Sequence, residues 1–358
     1  MRIGVNGLCC NESMTGIGRV ALSTMRALLE LDPHNEYFFF LPRDAPRDLS
    51  LEADNLVLVR TEVSLKDPVR STLFEEFTMP RRLRGARVDL YYAPSFLLPA
   101  FPGARTEIVC IHDFAFRLYP ETKSTLFRAY MNARLPYALK RAQRIVCVSQ
   151  ATADDLVLLF PEVERERVRV VRPGVDLKLF RPDRRVARAD PPFVAFVGND
   201  DPRKNVRSLV DAFPVFRARL RPHQLVVVGP TERPANHGRE VVVKGYLSDT
   251  QLVELYRQAS MVVHPSFYEG FGLPVLESMA CGTPVACANI RAFREVAGDC
   301  ATYFDPRNPV AIADAMEELA SDDASAEERA RRGVRRARKL TWQRTARELL
   351  EAFEEAVS

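Results

Sequence analysis

The chain has 358 residues, with 51 Lys and Arg against 47 Asp and Glu, a formal net charge of +4 and 47% hydrophobic residues. That length exceeds one typical core and sets two domains as the expectation. The near-balance of charge excludes a strongly basic nucleic-acid-binding domain, and no apolar run approaches the roughly 18 residues of a membrane span.

In chain order, RIGVN opens as a strand and a helix runs from about Ile17 to Leu31. The runs YFFFL, LVLV near Leu56, DLYYA near Leu90, EIVCIHD near Ile108 and RIVCVS near Val146 read as further strands, mostly with helical patterns between them. This alternation predicts a largely parallel α/β sheet covered on both faces. RPGVDLKLFRPD, after Val171, has two prolines, a glycine and little periodicity, so it reads as a linker. The alternation then restarts with FVAFVG, a helix from about Asn205, QLVVVG, VVVKG, a helix near Leu252 and MVVHPS. The tail is helical; its basic run RARRGVRRARKL reads as a solvated helix face, and Trp342 is expected to anchor the last helix by packing. Two lobes of similar size follow, facing each other across a cleft at the C-terminal edges of their sheets, where open α/β sheets bind ligands.

Four loops at strand ends carry candidate chemistry. In NGLCCNESMTGIGRV, Gly16 and Gly18 precede a helix, an arrangement that suits phosphate. In CIHDF, His112 and Asp113 follow an apolar strand directly. In FVGNDDPRKN, Arg203 and Lys204 form a cation pair suited to a diphosphate. In HPSFYEGFGLPVLESMACGTPV, Glu269 and Glu277 are separated by seven residues around a glycine turn. Gly270 and Gly272 allow the turn, Pro274 suits the first turn of a helix, and the helix is expected to carry Glu277 and stop near Gly282. No P-loop, complete dinucleotide fingerprint, D-x-D pair or zinc spacing is present. Seven cysteines without C-x-x-C read as reduced structural thiols, Cys9 and Cys10 alone lying in a glycine-rich loop. MRIGVNGL lacks a signal-peptide layout, so a cytoplasmic protein is expected.

Together TGIGRV, IHDF, AQRIVCVSQATADDL, VRPGVDLKLFRP, FVGNDDPRKN, the E-x7-E stretch and REVAGDCATYFDP resemble, in order, the signatures of the large retaining glycosyltransferase family that contains many bacterial mannosyltransferases. The resemblance covers nearly the whole chain and implies the GT-B fold of two Rossmann-like lobes. It implies residues 1–172 as an acceptor-side domain, 173–340 as a nucleotide-sugar domain and 341–358 as a helix packing back on the first. It places Gly16 and Gly18 by the donor phosphate, His112 against the transferred sugar and Lys204 on the diphosphate. Glu269 would stand beside the donor sugar, with the 270–273 backbone (Gly270, Phe271, Gly272, Leu273) holding hydroxyls and a phosphate. Glu277 would bind the ribose, and Tyr246 and Leu247 in KGYLSD would line the base. Asn199 stands where many members have an arginine, and Arg203 is the candidate replacement.

The implied donor is a nucleotide sugar, GDP-mannose first and a UDP-sugar second, used without a metal or other cofactor. The implied acceptor is a glycan, a lipid-linked glycan or a small molecule. Residues 64–87 mix Phe74, Phe77 and Leu83 with six cations, so they read equally as a helix with a core face and as a peripheral contact with the inner face of a membrane. The rival readings are a sugar-nucleotide epimerase, a phosphorylase and a non-catalytic two-lobed sugar-binding protein.

Overall fold

A computed structural model of the chain describes residues 1–11, 15–183, 185–199, 201–220, 223–229 and 238–358. The chain divides into two units. The first comprises Met1–Arg117, Lys123–Gly174 and Trp342–Ser358, and the second Leu118–Thr122 and Val175–Thr341.

The first unit is built on seven strands: β1 (Arg2–Asn6), β2 (Glu36–Leu41), β3 (Leu56–Arg60), β4 (Leu90–Ala93), β5 (Thr106–Ile111), β6 (Arg144–Cys147) and β7 (Val168–Val170). Their order across the sheet is β3-β2-β1-β4-β5-β6-β7, and every pair is parallel. β4 and β5 are buried at every position, as strands covered on both faces must be. β7 was not expected from sequence. Its three residues are all half-buried, so no apolar run announces it.

The second unit carries β8 (Phe193–Val197), β9 (Gln224–Val228), β10 (Val241–Lys244), β11 (Met261–His264), β12 (Val285–Ala288) and β13 (Thr302–Phe304). Their order is β10-β9-β8-β11-β12-β13, again all parallel. Both sheets wind the same way. The chain builds outward from one central strand, returns, and builds outward on the other side. The reversal falls between β1 and β4 in the first unit and between β8 and β11 in the second. Loops leaving adjacent strands diverge there, and the crevice between them is where doubly wound sheets bind ligands.

The last helix, Trp342–Val357, belongs to the first unit. It buries Ala346, Leu349, Ala352 and Phe353, and the Phe353 ring lies 5.5 Å from that of Tyr92. Trp342 is only partly buried, so anchoring falls to Leu349 and Phe353 and not to the tryptophan. Arg144 and Arg169 both pair with Glu355 near its end, at 3.3 and 2.6 Å. The basic run is a largely exposed helix face, as expected, with Arg331, Arg335, Arg338 and Lys339 exposed and several of its arginines paired. Arg329 meets Glu318, Arg331 meets Glu327 and Glu328, and Arg336 donates to the carbonyls of Glu295 and Val296.

Phe353→Ala is expected to destabilise the first unit by about 3–5 kcal/mol, and Trp342→Ala by much less. Urea denaturation of the two variants checks the ranking. A larger loss for Trp342→Ala would return the anchor to the tryptophan.

Candidate functional site

In the second unit the chemistry gathers where β8 and β11 part. After β8, Asp201 caps a 3-10 turn, Pro202–Lys204, by accepting the Arg203 N–H. Asn205 then adopts a left-handed conformation (φ 55°), and its amide donates to the carbonyls of Pro265 and Pro306 at 3.1 and 2.8 Å. That amide ties the turn to the end of β11. Lys204 is thereby fixed beside the loop that follows β11.

That loop carries Glu269. Lys204 Nζ lies 2.6 Å from Glu269 Oε1, Ser266 Oγ donates to the same oxygen at 2.8 Å, and Arg203 Nη1 stands 3.6 Å from Oε2. Arg203 is itself held by Asp201 (3.1 Å) and donates to the Tyr268 carbonyl (3.3 Å). The Glu269 and Lys204 side chains are 10% and 15% exposed. Burial pushes the Glu269 carboxyl up, but Lys204 and Arg203 outweigh it and hold the group below the usual carboxylate range. Glu269 is therefore ionised and already engaged by both cations.

Beyond it the turn closes as the glycines predict. Gly272 takes φ +115° and caps the helix Leu273–Ala280 without offering a side chain to the first-turn N–H groups. Such a helix start attracts anions. Pro274 falls in the first turn and the helix ends one residue before Cys281, ahead of Gly282 (φ +77°). Gly270 and Phe271 are buried and Leu273 is partly so. Glu277, on this helix, is 4% exposed and accepts from the Tyr256 hydroxyl at 3.3 Å. Tyr246 and Leu247 follow β10; Tyr246 is 70% exposed and Leu247 partly buried. Asn199 is exposed and makes no contact with the cation pair among the described hydrogen bonds and ion pairs. Asp200 lies outside the described residues.

In the first unit His112 follows β5 and is 9% exposed. Its Nε2 faces the Pro94 carbonyl at 2.6 Å. A carbonyl only accepts, so that nitrogen carries the proton. Burial lowers the imidazole pKa, with Pro94 and Asp113 opposing, and the ring is neutral at pH 7. Asp113 accepts the Ala115 N–H, which shapes the turn behind His112. Gly16 and Gly18 do not precede the helix. Thr15 is the cap, accepting the Gly18 N–H, and both glycines lie in the first turn of Gly16–Leu31. Gly16 is exposed, with nothing within 4 Å of an added Cβ. Residues 12–14 of this loop lie outside the described set. The Cys9 thiol is pushed up, first by its hydrogen bond with Cys10 and then by burial, so it stays protonated.

Two family descriptions match the chain: "Glycosyltransferase Family 4" over residues 14–179 and "Glycosyl transferases group 1" over residues 180–339. The chain belongs to the group 1 glycosyltransferases. It is 28% identical to O-antigen chain mannosyltransferase B of Escherichia coli over 76% of this chain and 77% of that protein. It is 33% identical to an MMP alpha-(1->4)-mannosyltransferase of Mycolicibacterium hassiacum over 61% of this chain and 56% of the relative. Among solved structures, a sucrose-phosphate synthase of Thermosynechococcus elongatus aligns over 99% of this chain and 98% of its own (TM-score 0.76, 20% identity). Anabaena HepE in complex with UDP-glucose aligns over 99% of both chains (TM-score 0.76, 17% identity). The two parallel sheets together have the GT-B fold.

In this glycosyltransferase, two residues beside the candidate site escaped the sequence. His264 ends β11, 2% exposed, its Nε2 without a hydrogen-bond partner among the described residues. Burial first, and then Lys204, bring its pKa down to about 3, so a neutral ring underlies the cation. Tyr119 belongs to the second unit through Leu118–Thr122 and stacks on Tyr268 at 5.5 Å, next to Glu269. Neither residue sits in a pattern that sequence periodicity can flag.

Because the folded Glu269 pKa lies below its unfolded value, its stabilisation is present above the unfolded range and is lost as pH falls through the folded pKa. The stability gap between wild type and Glu269→Gln is expected to be widest near neutrality and to close below about pH 4. Denaturation curves across pH read this directly. A gap that widens on acidification would contradict the depressed pKa.

Proposed function

We propose that the chain transfers a hexose, mannose from GDP-mannose in the first instance, to a hydroxyl of a glycan, lipid-linked glycan or small-molecule acceptor, with retention of configuration. The observation that carries this is the Lys204–Glu269 pair at the switch point, flanked by Arg203 and an uncapped helix start. Cleaving the sugar–phosphate bond places negative charge on a diphosphate and positive character on the sugar. Lys204, Arg203 and the N–H groups after Gly272 answer the first. The diphosphate competes with Glu269 for Lys204, which frees the carboxylate to orient sugar hydroxyls. Glu269 acts there as an orienting group, and no covalent sugar–enzyme intermediate is assigned. The leaving phosphate takes the acceptor proton, and neutral His112, its Nε2 proton held by Pro94, accepts a hydrogen bond at Nδ1 near the reacting carbon. Glu277 with Tyr256 serves the ribose, and Tyr246 and Leu247 the base. No metal is assigned a role.

Mannose is favoured because relatives named mannosyltransferases recur at 25–33% identity. UDP-linked glucose is the alternative, since the aligned HepE structure holds UDP-glucose. Thermal-shift titration with GDP, UDP, ADP and dTDP, chelator present, tests the donor. One diphosphate should raise the melting temperature, Lys204→Ala should abolish the rise, and Glu269→Ala should cut sugar transfer by about a hundredfold or more. Stabilisation by free sugars and by no diphosphate would favour the sugar-binding protein instead.

A lipid-linked acceptor has separate support in the first unit. Within 64–87, Phe74, Met79 and Leu83 are core, while Val69, Leu73 and Phe77 are 68%, 52% and 47% exposed. Phe101 lies 6.2 Å from Phe77 by ring centroid. Leu126 and Phe127, also exposed, begin the helix that docks on this segment through Tyr130 and Arg134. Lys66, Arg70, Arg81, Arg82, Arg84 and Arg87 are exposed around them, and of the segment's three acids Glu76 is buried and Glu75 partly so. Exposed apolar groups ringed by cations suit an anionic lipid surface. Among the described residues no helix is long and apolar enough to cross a membrane. Vesicles containing phosphatidylglycerol should sediment the protein in a salt-sensitive way, phosphatidylcholine vesicles should not, and Phe77→Glu with Leu126→Glu should release it. Absence of sedimentation would leave a soluble acceptor.

A further inference from the structure

The first unit has its own switch point, between β1 and β4, and a carboxylate stands there that the donor chemistry does not use. The segment after Pro68 is helical throughout, with a π turn, Phe74–Thr78, between Pro68–Leu73 and Met79–Gly85. Turns of this kind recur at functional sites. Here it carries two adjacent acids with different fates. Glu76 accepts both guanidinium nitrogens of Arg134, at 3.0 and 2.7 Å, and the Tyr130 hydroxyl at 2.6 Å. Glu75 instead meets Asn6, whose Nδ2 donates to its Oε1 at 2.7 Å.

Asn6 is the last residue of β1 and is 2% exposed. Its own Oδ1 is taken by the Leu8 N–H at 3.0 Å, so the amide cannot flip and its NH2 must face Glu75. Among the described residues no cation pairs with Glu75 and no group donates to its Oε2. Burial pushes this carboxyl above the usual range and Glu76 adds to the rise, with the Asn6 amide opposing. That is a costly way to keep an acid if its work is structural, because Glu76 alone already ties this turn to the Thr125–Arg141 helix.

The other wall of the same crevice follows β4. There Pro94 holds His112, which leaves β5. β1 and β5 flank β4, so the Asn6–Glu75 pair and His112 are two strand spacings apart, about 10 Å. Partly buried Cys9 lies on the same side as Glu75. The crevice thus presents a carboxylate oxygen without a donor, a neutral imidazole and no paired cation at Glu75. An anion would be repelled by Glu75. A hydroxyl-bearing neutral molecule fits.

We propose that Glu75, oriented by Asn6, is a binding residue for a neutral polyol at the switch point of the first unit, accepting hydrogen bonds from hydroxyls of the sugar acceptor. The identity of the polyol as acceptor rests on the transferase reading; its binding does not. Loss of one charge-assisted hydrogen bond weakens binding by about tenfold or more.

Saturation-transfer NMR on the full chain, with methyl α-D-mannopyranoside, methyl α-D-glucopyranoside and myo-inositol as probes, tests this without turnover. Wild type should bind at least one probe, and Glu75→Gln should bind it about tenfold or more weakly. The isosteric, uncharged variant should melt no lower than wild type, since it removes an uncompensated carboxylate. Glu62→Gln, on the exposed surface, controls for loss of charge. Binding of no probe by wild type overturns the polyol site. So does a Glu75→Gln variant that keeps probe affinity, or one that melts lower while keeping it, which would mark Glu75 as structural. If the probes bind through Glu75 while no nucleoside diphosphate stabilises the protein, the transferase reading fails and the polyol site stands.

Discussion

A parallel strand cannot be reached by a hairpin; the chain must cross over the sheet before each new strand. That constraint governs both units. Each begins at a central strand, β1 or β8, and can grow in only one direction at a time, so each must turn back once. The turn-back leaves two adjacent strands whose outgoing loops run to opposite faces. No side chain has to be arranged to create the crevice, because topology creates it. What the sequence must supply is the chemistry on either side: in the second unit it comes from the loops after the flanking strands, and in the first from groups that Asn6, ending β1, and Pro94, following β4, hold in place.

In the second unit the two sides carry opposite charge. The loop after β8 brings Arg203 and Lys204, and the loop after β11 brings Glu269. Burying these ions separately would be costly, and pairing them satisfies each. On the proposed reading the same pairing makes the site responsive, since a diphosphate would offer Lys204 a second, more highly charged partner. His264 contributes by what it lacks. Charging it would place a cation in the core under Lys204, and its depressed pKa prevents that, so the positive potential comes from the two side chains that face the loop.

The strands were legible because a two-faced parallel sheet demands apolar runs, and β4, the 108–111 part of β5 and the 261–263 part of β11 are such runs. The E-x7-E string was legible because its turn needs Gly272 at φ +115° and its helix tolerates Pro274. Other features left no linear trace. The three residues of β7 are half-buried at the sheet edge, so their pattern is that of a loop. Gly16 and Gly18 look like a loop before a helix, and only the Thr15 hydroxyl on the Gly18 N–H moves the helix start ahead of them. Trp342 drew notice as the sole tryptophan, yet size does not decide burial when a helix's inward face is set by Ala346, Leu349 and Phe353. Glu75 and Glu76 are indistinguishable in sequence, and their separation depends on a π turn that no periodicity encodes.

The two crevices differ in a way that bears on how a transferase divides its labour. At the second unit's switch point every charged group is compensated: Glu269 by Lys204 and Arg203, and Arg203 further by Asp201. A ligand there must displace an existing ion pair, and only a multiply charged one gains by doing so. At the first unit's switch point Glu75 has, among the described residues, a single amide partner, and His112 is neutral. A ligand there displaces water from one carboxylate oxygen and gains a hydrogen bond, which an uncharged hydroxyl does well and a phosphate does badly. Charge compensation, more than shape, therefore assigns the anionic donor to one unit and a neutral polyhydroxylated acceptor to the other on the proposed reading. The preference is written into the residues that flank each reversal.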